Sequence, residues 1–119
     1  MIGHHMTDKG TIIDQEKLMK SYIYNPYHGT FYAIKSRERI KTKEYKNGYQ
    51  YGEFFGDYFR IDKLVVLWLT GVYPKKVLHK NRNLADNHWY NLSYPLVKDK
   101  SWFKSMRKKG FIVSIEGLD

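Results

Sequence analysis

Apolar and polar positions alternate along this chain in short runs, and each run predicts one element. Asp14 is an N-cap in front of the segment QEKLMKSYI (15–23), a short helix with Leu18, Tyr22 and Ile23 on its buried face. Asn25-Pro26 stops it, and His28-Gly29 makes a turn. TFYAIKS (30–36) alternates as a half-buried strand does. Asn47-Gly48 is a turn signal before YQYGEF, and Gly56-Asp57 turns the chain into YFRI, so a small antiparallel sheet follows. Asp62 is placed to cap the helix KLVVLWLT (63–70), which Gly71 closes with Pro74 just beyond. That helix is apolar almost all round, which predicts burial.

Val77-Leu78-His79 reads as a strand. Asp86 caps a single helical turn through Trp89, and Leu92-Ser93-Tyr94 returns as the paired strand. KDKSWFKSMRKK (98–109) is a basic amphipathic helix with Trp102, Phe103 and Met106 inward, ending at Gly110, and FIVSI closes the chain as a strand. The predicted class is α+β, a small antiparallel sheet with short helices followed by a further strand pair and helix. There is no repeat or low-complexity linker. Residues 1–13 are expected to be flexible and 14–119 to form a single domain; the His4-His5 pair falls in a frayed terminus and outside the site.

Composition narrows the class. A chain of 119 residues forms one domain that buries roughly two-thirds of its unfolded surface. Eleven tyrosines supply core volume with polar edges. With no cysteine, neither disulfides nor thiolate-bound zinc hold the fold. No apolar run reaches the roughly 20 residues of a membrane span, and the first ten residues lack a signal-peptide core, so a soluble cytoplasmic protein with no membrane partner is expected.

The formal charge of +9 is clustered in 35–46, 75–82 and 98–109. Clustered cations suit a polyanion, because each phosphate neutralised releases counterion. Ordinary solubilising charge is the alternative, and charge alone does not separate DNA, RNA and an acidic protein. The candidate nucleic-acid contacts are Lys35, Arg37, Arg39, Lys41 and Lys43, then Lys75, Lys76, Lys80 and Arg82, then Lys100, Lys104, Arg107 and Lys108. Trp89, Tyr90, Trp102 and Phe103 are either base-stacking or core residues. His28 is expected to be a plain surface residue.

VLHKNRNLADNHWYNL (77–92) sets a histidine at a strand end, then Asp86-Asn87, then Asn91-Leu92. This layout resembles phage-type HNH endonucleases, the His-Me fingers. YIYNPYHGTFYAIK (22–35) resembles their opening segment, and 47–74 resembles the next, with Gly48-Tyr49, Leu64, Trp68, Gly71 and Pro74 in matching places. The resemblance spans about residues 18 to 110 and implies an HNH-like ββα-metal core. In it one imidazole takes a proton from water, and one divalent cation stabilises the leaving oxygen. His79 falls on the general base and Asn91 on the asparagine that orients it.

The departures fall on the metal. The family's first ligand is an acid, and its place is taken by Leu78; its second falls on Lys100, and the histidine that often opens the preceding helix falls on Asp62. Leucine has no donor atom and an ammonium has no free lone pair. Asp99, one residue from the second position, is the remaining metal-ligand candidate, with His88 and Asp86 nearby in the loop. Alternatively, the Lys100 ammonium supplies a phosphate with some of the positive charge of the metal.

The resemblance implies a double-stranded-DNA-binding protein that has lost metal-dependent cleavage. One alternative is a phage accessory protein that inhibits a host nucleic-acid-processing or defence enzyme by protein contact. Another is an active nicking endonuclease with unusual ligands. No cofactor is expected in the first case, and Mg²⁺ or Mn²⁺ if cleavage survives. The oligomeric state is not set by the sequence.

Overall fold

Asp14 opens the first helix as its side chain predicts, accepting a hydrogen bond from the Lys17 backbone N–H at 2.8 Å. The computed structural model describes residues 3–94, so the basic segment 98–109 and the strand FIVSI lie outside the described residues. Helix α1 (Gln15–Ser21) buries Leu18. It ends before Tyr22 and Ile23, which sequence periodicity places on the helix. Both instead enter strand β3 (Tyr22–Asn25), where Tyr22 pairs Ala33 and Ile23 pairs Tyr32 of β4 (Thr30–Ala33). Cross-strand pairing overrides the helical pattern here, and Ile23 is left 47% exposed.

Residues 4–14 form a β-hairpin. Strand β1 (His4–Met6) pairs antiparallel with β2 (Ile12–Asp14), and Gly10 makes the turn with φ +87. Ile13 is fully buried and the His5 ring stacks on Tyr73 at 4.2 Å. An apolar anchor and an aromatic partner therefore order a terminus that composition reads as frayed.

Strands β5 (Thr42–Glu44), β6 (Gln50–Phe54) and β7 (Asp57–Arg60) form an antiparallel sheet in that order. Gly48 takes φ +84 at the predicted Asn47-Gly48 turn. The second turn sits one residue earlier than predicted, on Phe55 and Gly56, both at positive φ, while Asp57 already belongs to β7. The expected strand 30–36 also shortens. After Ala33 the chain turns through Arg37 at φ +61 and returns alongside β4, where Tyr32 bridges Arg39. In the sheet Phe54 and Phe59 face the core, while Tyr51, Glu53 and Tyr58 stand on the outer face.

Helix α2 (Ile61–Thr70) runs through the centre, with Leu64 to Leu69 all buried. The Trp68 indole donates to the Tyr22 carbonyl at 3.3 Å, and the Gln15 amide donates to the Trp68 carbonyl at 3.0 Å. Gly71 closes the helix in the left-handed conformation, φ +82. Asp62 is not the cap it was predicted to be. The helix starts at Ile61 with Arg60 at the N-cap, and Asp62 is buried in the first turn. Truncating a core leucine such as Leu64 costs about 2–5 kcal/mol in a site this closed. Strands β8 (Leu78–His79) and β9 (Leu92–Ser93) make the last hairpin, separated by a loop and a 3-10 turn (Trp89–Asn91). The described residues are thus a mixed α/β fold of small antiparallel sheets around two helices. Among them no helix is long and apolar enough to cross a membrane.

Candidate functional site

Strand alternation in β8 sends Leu78 outward, 53% exposed, and His79 inward, 8% exposed. The loop beyond is built by asparagines. The Asn81 side chain accepts from the Asn83 N–H at 2.9 Å, the Asn83 side chain accepts from the Ala85 N–H at 3.0 Å, and Arg82 sits at φ +63. Asn91 ties the two ends: its Oδ1 accepts from the Asn81 N–H at 2.9 Å, and its Nδ2 donates to the Asp86 carbonyl at 2.7 Å. Asn91 is therefore committed to holding the loop, as any turn asparagine does.

The partner of His79 is Asn87. Its Oδ1 lies 2.8 Å from His79 Nε2, and both side chains are buried. This corrects the expectation that Asn91 orients the imidazole. An amide oxygen only accepts, so Nε2 donates to it and carries a proton, and in the neutral tautomer the lone pair is on Nδ1. His79 Nδ1 is buried and has no hydrogen-bond partner among the described residues.

Asn87 is held from behind. The Tyr24 hydroxyl donates to its carbonyl at 2.6 Å, and the Trp89 N–H donates to the Pro26 carbonyl at 3.2 Å. Gly29, at φ +71, lies so close that a Cβ there would stand 2.3 Å from the Asn87 carbonyl carbon. Burial, helped by Tyr94 and Asp86, pushes the Tyr24 phenol well above its usual range, which keeps it a donor. The β3–β4 hairpin therefore sets the position of a site residue that lies far along the chain.

A second group flanks His79. The Tyr49 ring is centred 6.1 Å from the imidazole, and the Arg60 guanidinium lies 3.6 Å from the Tyr49 centroid. Arg60 is bidentate to Asp62, Nε to Oδ1 at 3.0 Å and Nη2 to Oδ2 at 2.6 Å. Burial alone lowers the Arg60 pKa, but the hydrogen bond and charge of Asp62 win and raise it. Asp62, expected as a cap, instead holds this arginine. Sequence reading misses both Asn87 and Arg60; the Arg-x-Asp spacing at a helix start is the signal that was there to find.

Asp86 does not cap a turn either. It pairs through Oδ1 with His88 Nδ1, and Oδ2 accepts from Asn81 Nδ2 at 2.8 Å. Burial pushes its carboxyl up, but hydrogen bonds from His88 and Asn81 outweigh that and hold it below the usual range. Trp89 is core, Tyr90 is half-exposed, and His28 is on the surface as expected. Trp102 and Phe103 lie outside the described residues.

Among the described residues no three histidine, aspartate or glutamate side chains gather as metal ligands. Leu78 offers no donor beside His79, so the described side chains do not fit the divalent cation that the resemblance implies. Asp99, Lys100, Lys104, Arg107 and Lys108 lie outside the described residues. The other basic candidates are all exposed. Lys35, Arg37, Arg39, Lys41 and Lys43 run along the 34–41 turn and strand β5, whereas Lys75, Lys76, Lys80 and Arg82 flank β8.

No family model matches the chain, and no curated protein matches it. A solved structure described as "DNA binding and cleavage by the HNH homing endonuclease I-HmuI" is similar, with 24% sequence identity and a TM-score of 0.49. The match covers 80% of this chain and 56% of that one, so the chain spans little more than half of that protein's length.

Proposed function

We propose that the protein binds double-stranded DNA through an HNH-like ββα scaffold that no longer supports metal-dependent cleavage. One observation carries the reading: the cations around His79 are free to meet a phosphate. Lys75, Lys76, Lys80 and Arg82 are exposed on either side of β8, and none belongs to an ion pair among the described residues. Such side chains grip a phosphate backbone without reading sequence. Leu78 in the family's acid position supports the loss of cleavage.

His79 favours a second reading, a nicking enzyme. With Nε2 held by Asn87, the buried Nδ1 has no hydrogen-bond partner among the described residues, and it is the ring atom that would take a proton from a water admitted to the site.

A plasmid assay across Mg²⁺ and Mn²⁺, with wild type, His79→Ala and Leu78→Asp, separates the two. The first reading expects DNA binding that falls steeply with salt, no nicking by wild type, and nicking gained in Leu78→Asp. Metal-dependent nicking by wild type that vanishes in His79→Ala overturns it in favour of the second. If DNA affinity is insensitive to salt, both readings lose their physical basis.

A further inference from the structure

A second group of charges without ion-pair partners among the described residues lies around the 34–41 turn and strands β5 and β6. A cleft of about 380 Å³ opens between the 34–41 turn and the outer face of the β5–β7 sheet. Arg39, Lys41, Lys43, Tyr51 and Tyr58 line it, and Lys43 pairs Tyr51 directly across the sheet. Two carboxylates, Glu38 and Glu53, line the same space. None of these charged side chains belongs to an ion pair among the described residues.

This mixture excludes a plain phosphate-tracking surface. A duplex backbone offers only acceptor oxygens, and carboxylates in its path repel it. The tyrosines add flat faces: Tyr45 stacks on Tyr51 at 3.9 Å, and Tyr58 is 49% exposed beside them. Cations, π faces and acceptor-only carboxylates in one cleft match a ligand with three parts, namely an anion, an aromatic plane and a donor edge. An unpaired nucleotide has all three. In a duplex its donor edge is consumed by pairing. Among the bases, guanine alone sets two adjacent donors on that edge, N1–H and N2–H, which a carboxylate accepts in bidentate fashion.

We propose that this cleft binds an unpaired guanine nucleotide of a nucleic-acid strand. The base stacks on Tyr58 and Tyr51, Glu53 accepts from its Watson–Crick edge, and Lys41, Lys43 and Arg39 meet the adjoining phosphates. The inference deepens the DNA-binding reading above and uses a different face. The outer sheet face leads from the cleft toward His79, because Tyr51 pairs Arg60 across the sheet and Arg60 covers Tyr49. A strand engaged at His79 is thereby within the reach of the cleft.

Fluorescence anisotropy at fixed salt tests it with a perfect duplex, an all-thymidine oligonucleotide, the same oligonucleotide with one central guanosine, and the RNA counterparts of the single strands. The wild type should prefer the guanosine-containing strand by about tenfold, from the bidentate pairing of its donor edge with Glu53. Tyr58→Ala, at a half-exposed position, should weaken every single strand by about tenfold. Glu53→Gln should abolish only the guanosine preference. The DNA and RNA arms show which strand the cleft accepts, and a guanosine preference in either supports the proposal. Equal affinity for guanosine and thymidine strands, unchanged in Tyr58→Ala, overturns it while salt-sensitive duplex binding leaves the first reading standing. Guanosine-selective single-strand binding with no duplex affinity does the reverse.

Discussion

At the scale of single residues, the site depends on polar atoms that have one partner each. Asn87→Ala strands the buried Nε2–H of His79, and Tyr24→Phe strands the buried Asn87 carbonyl. Each should destabilise the protein by about 1–3 kcal/mol, read from urea unfolding. An equal loss from Asn91→Ala is expected too, but that substitution should leave the His79 ring resonances of an NMR spectrum in place, whereas Asn87→Ala should move them. Asp86 makes a pH-dependent contribution. Its folded carboxyl is held below the usual carboxylate range, so the stability it confers is present above about pH 4, the ordinary aspartate value, and is lost as pH falls through the lowered folded value. Asp86→Asn should therefore flatten that part of the acid limb in unfolding experiments run from pH 6 down to pH 3. If the limb keeps its slope, the hydrogen bonds to His88 and Asn81 do not hold the carboxyl down.

At the scale of elements, the decisive contact is between the β3–β4 hairpin and the loop that carries Asn87. Gly29→Ala would set a Cβ 2.4 Å from the His88 nitrogen as well as against Asn87, at a backbone conformation unsuited to alanine. Neither backbone can yield without breaking the clamp, so a loss of at least about 2 kcal/mol is expected, with a lower Tm in circular dichroism. A Gly29→Ala protein as stable as wild type would mean the clamp is not made. Elements governed by local chemistry were legible in the sequence. Asp14 caps α1, Gly71 ends α2, and Asn47-Gly48 turns the sheet, because each depends on side chains within a few residues. The pairing of Leu78 and His79 with β9 was legible for the same reason. What was not legible was which asparagine serves His79. Asn81, Asn83, Asn87 and Asn91 are equivalent by type, and the contacts from Tyr24, Pro26 and Gly29, some 60 residues earlier, are what hold the Asn87 segment against His79. The Arg60–Asp62 pair was hidden similarly: a helix-start aspartate looks like a cap until the arginine beside it takes both oxygens.

At the scale of the whole molecule, the N-terminal hairpin belongs to the fold. Removing residues 1–11 deletes β1, strips Ile13 of its pairing partner, and takes the His5 ring from Tyr73. A Tm lower by about 4–8 °C is expected for each kcal/mol lost, measured by thermal unfolding. An unchanged Tm would return residues 1–11 to the status of a tail. The hydrogen bond between Tyr24 and Asn87 closes a span of 63 residues. Strands of two residues, such as β8 and β9, do not persist without outside support. Contacts so distant in sequence form late, after the loop-closure entropy has been met by the core around α2. The 34–41 turn rests instead on local bonds, the Arg37 N–H to the Ala33 carbonyl at 2.8 Å and the Ile40 N–H to the Phe31 carbonyl at 2.8 Å. A molecule that opens between the β3–β4 hairpin and the loop that carries Asn87 therefore loses the placement of His79 while the basic turn keeps its shape.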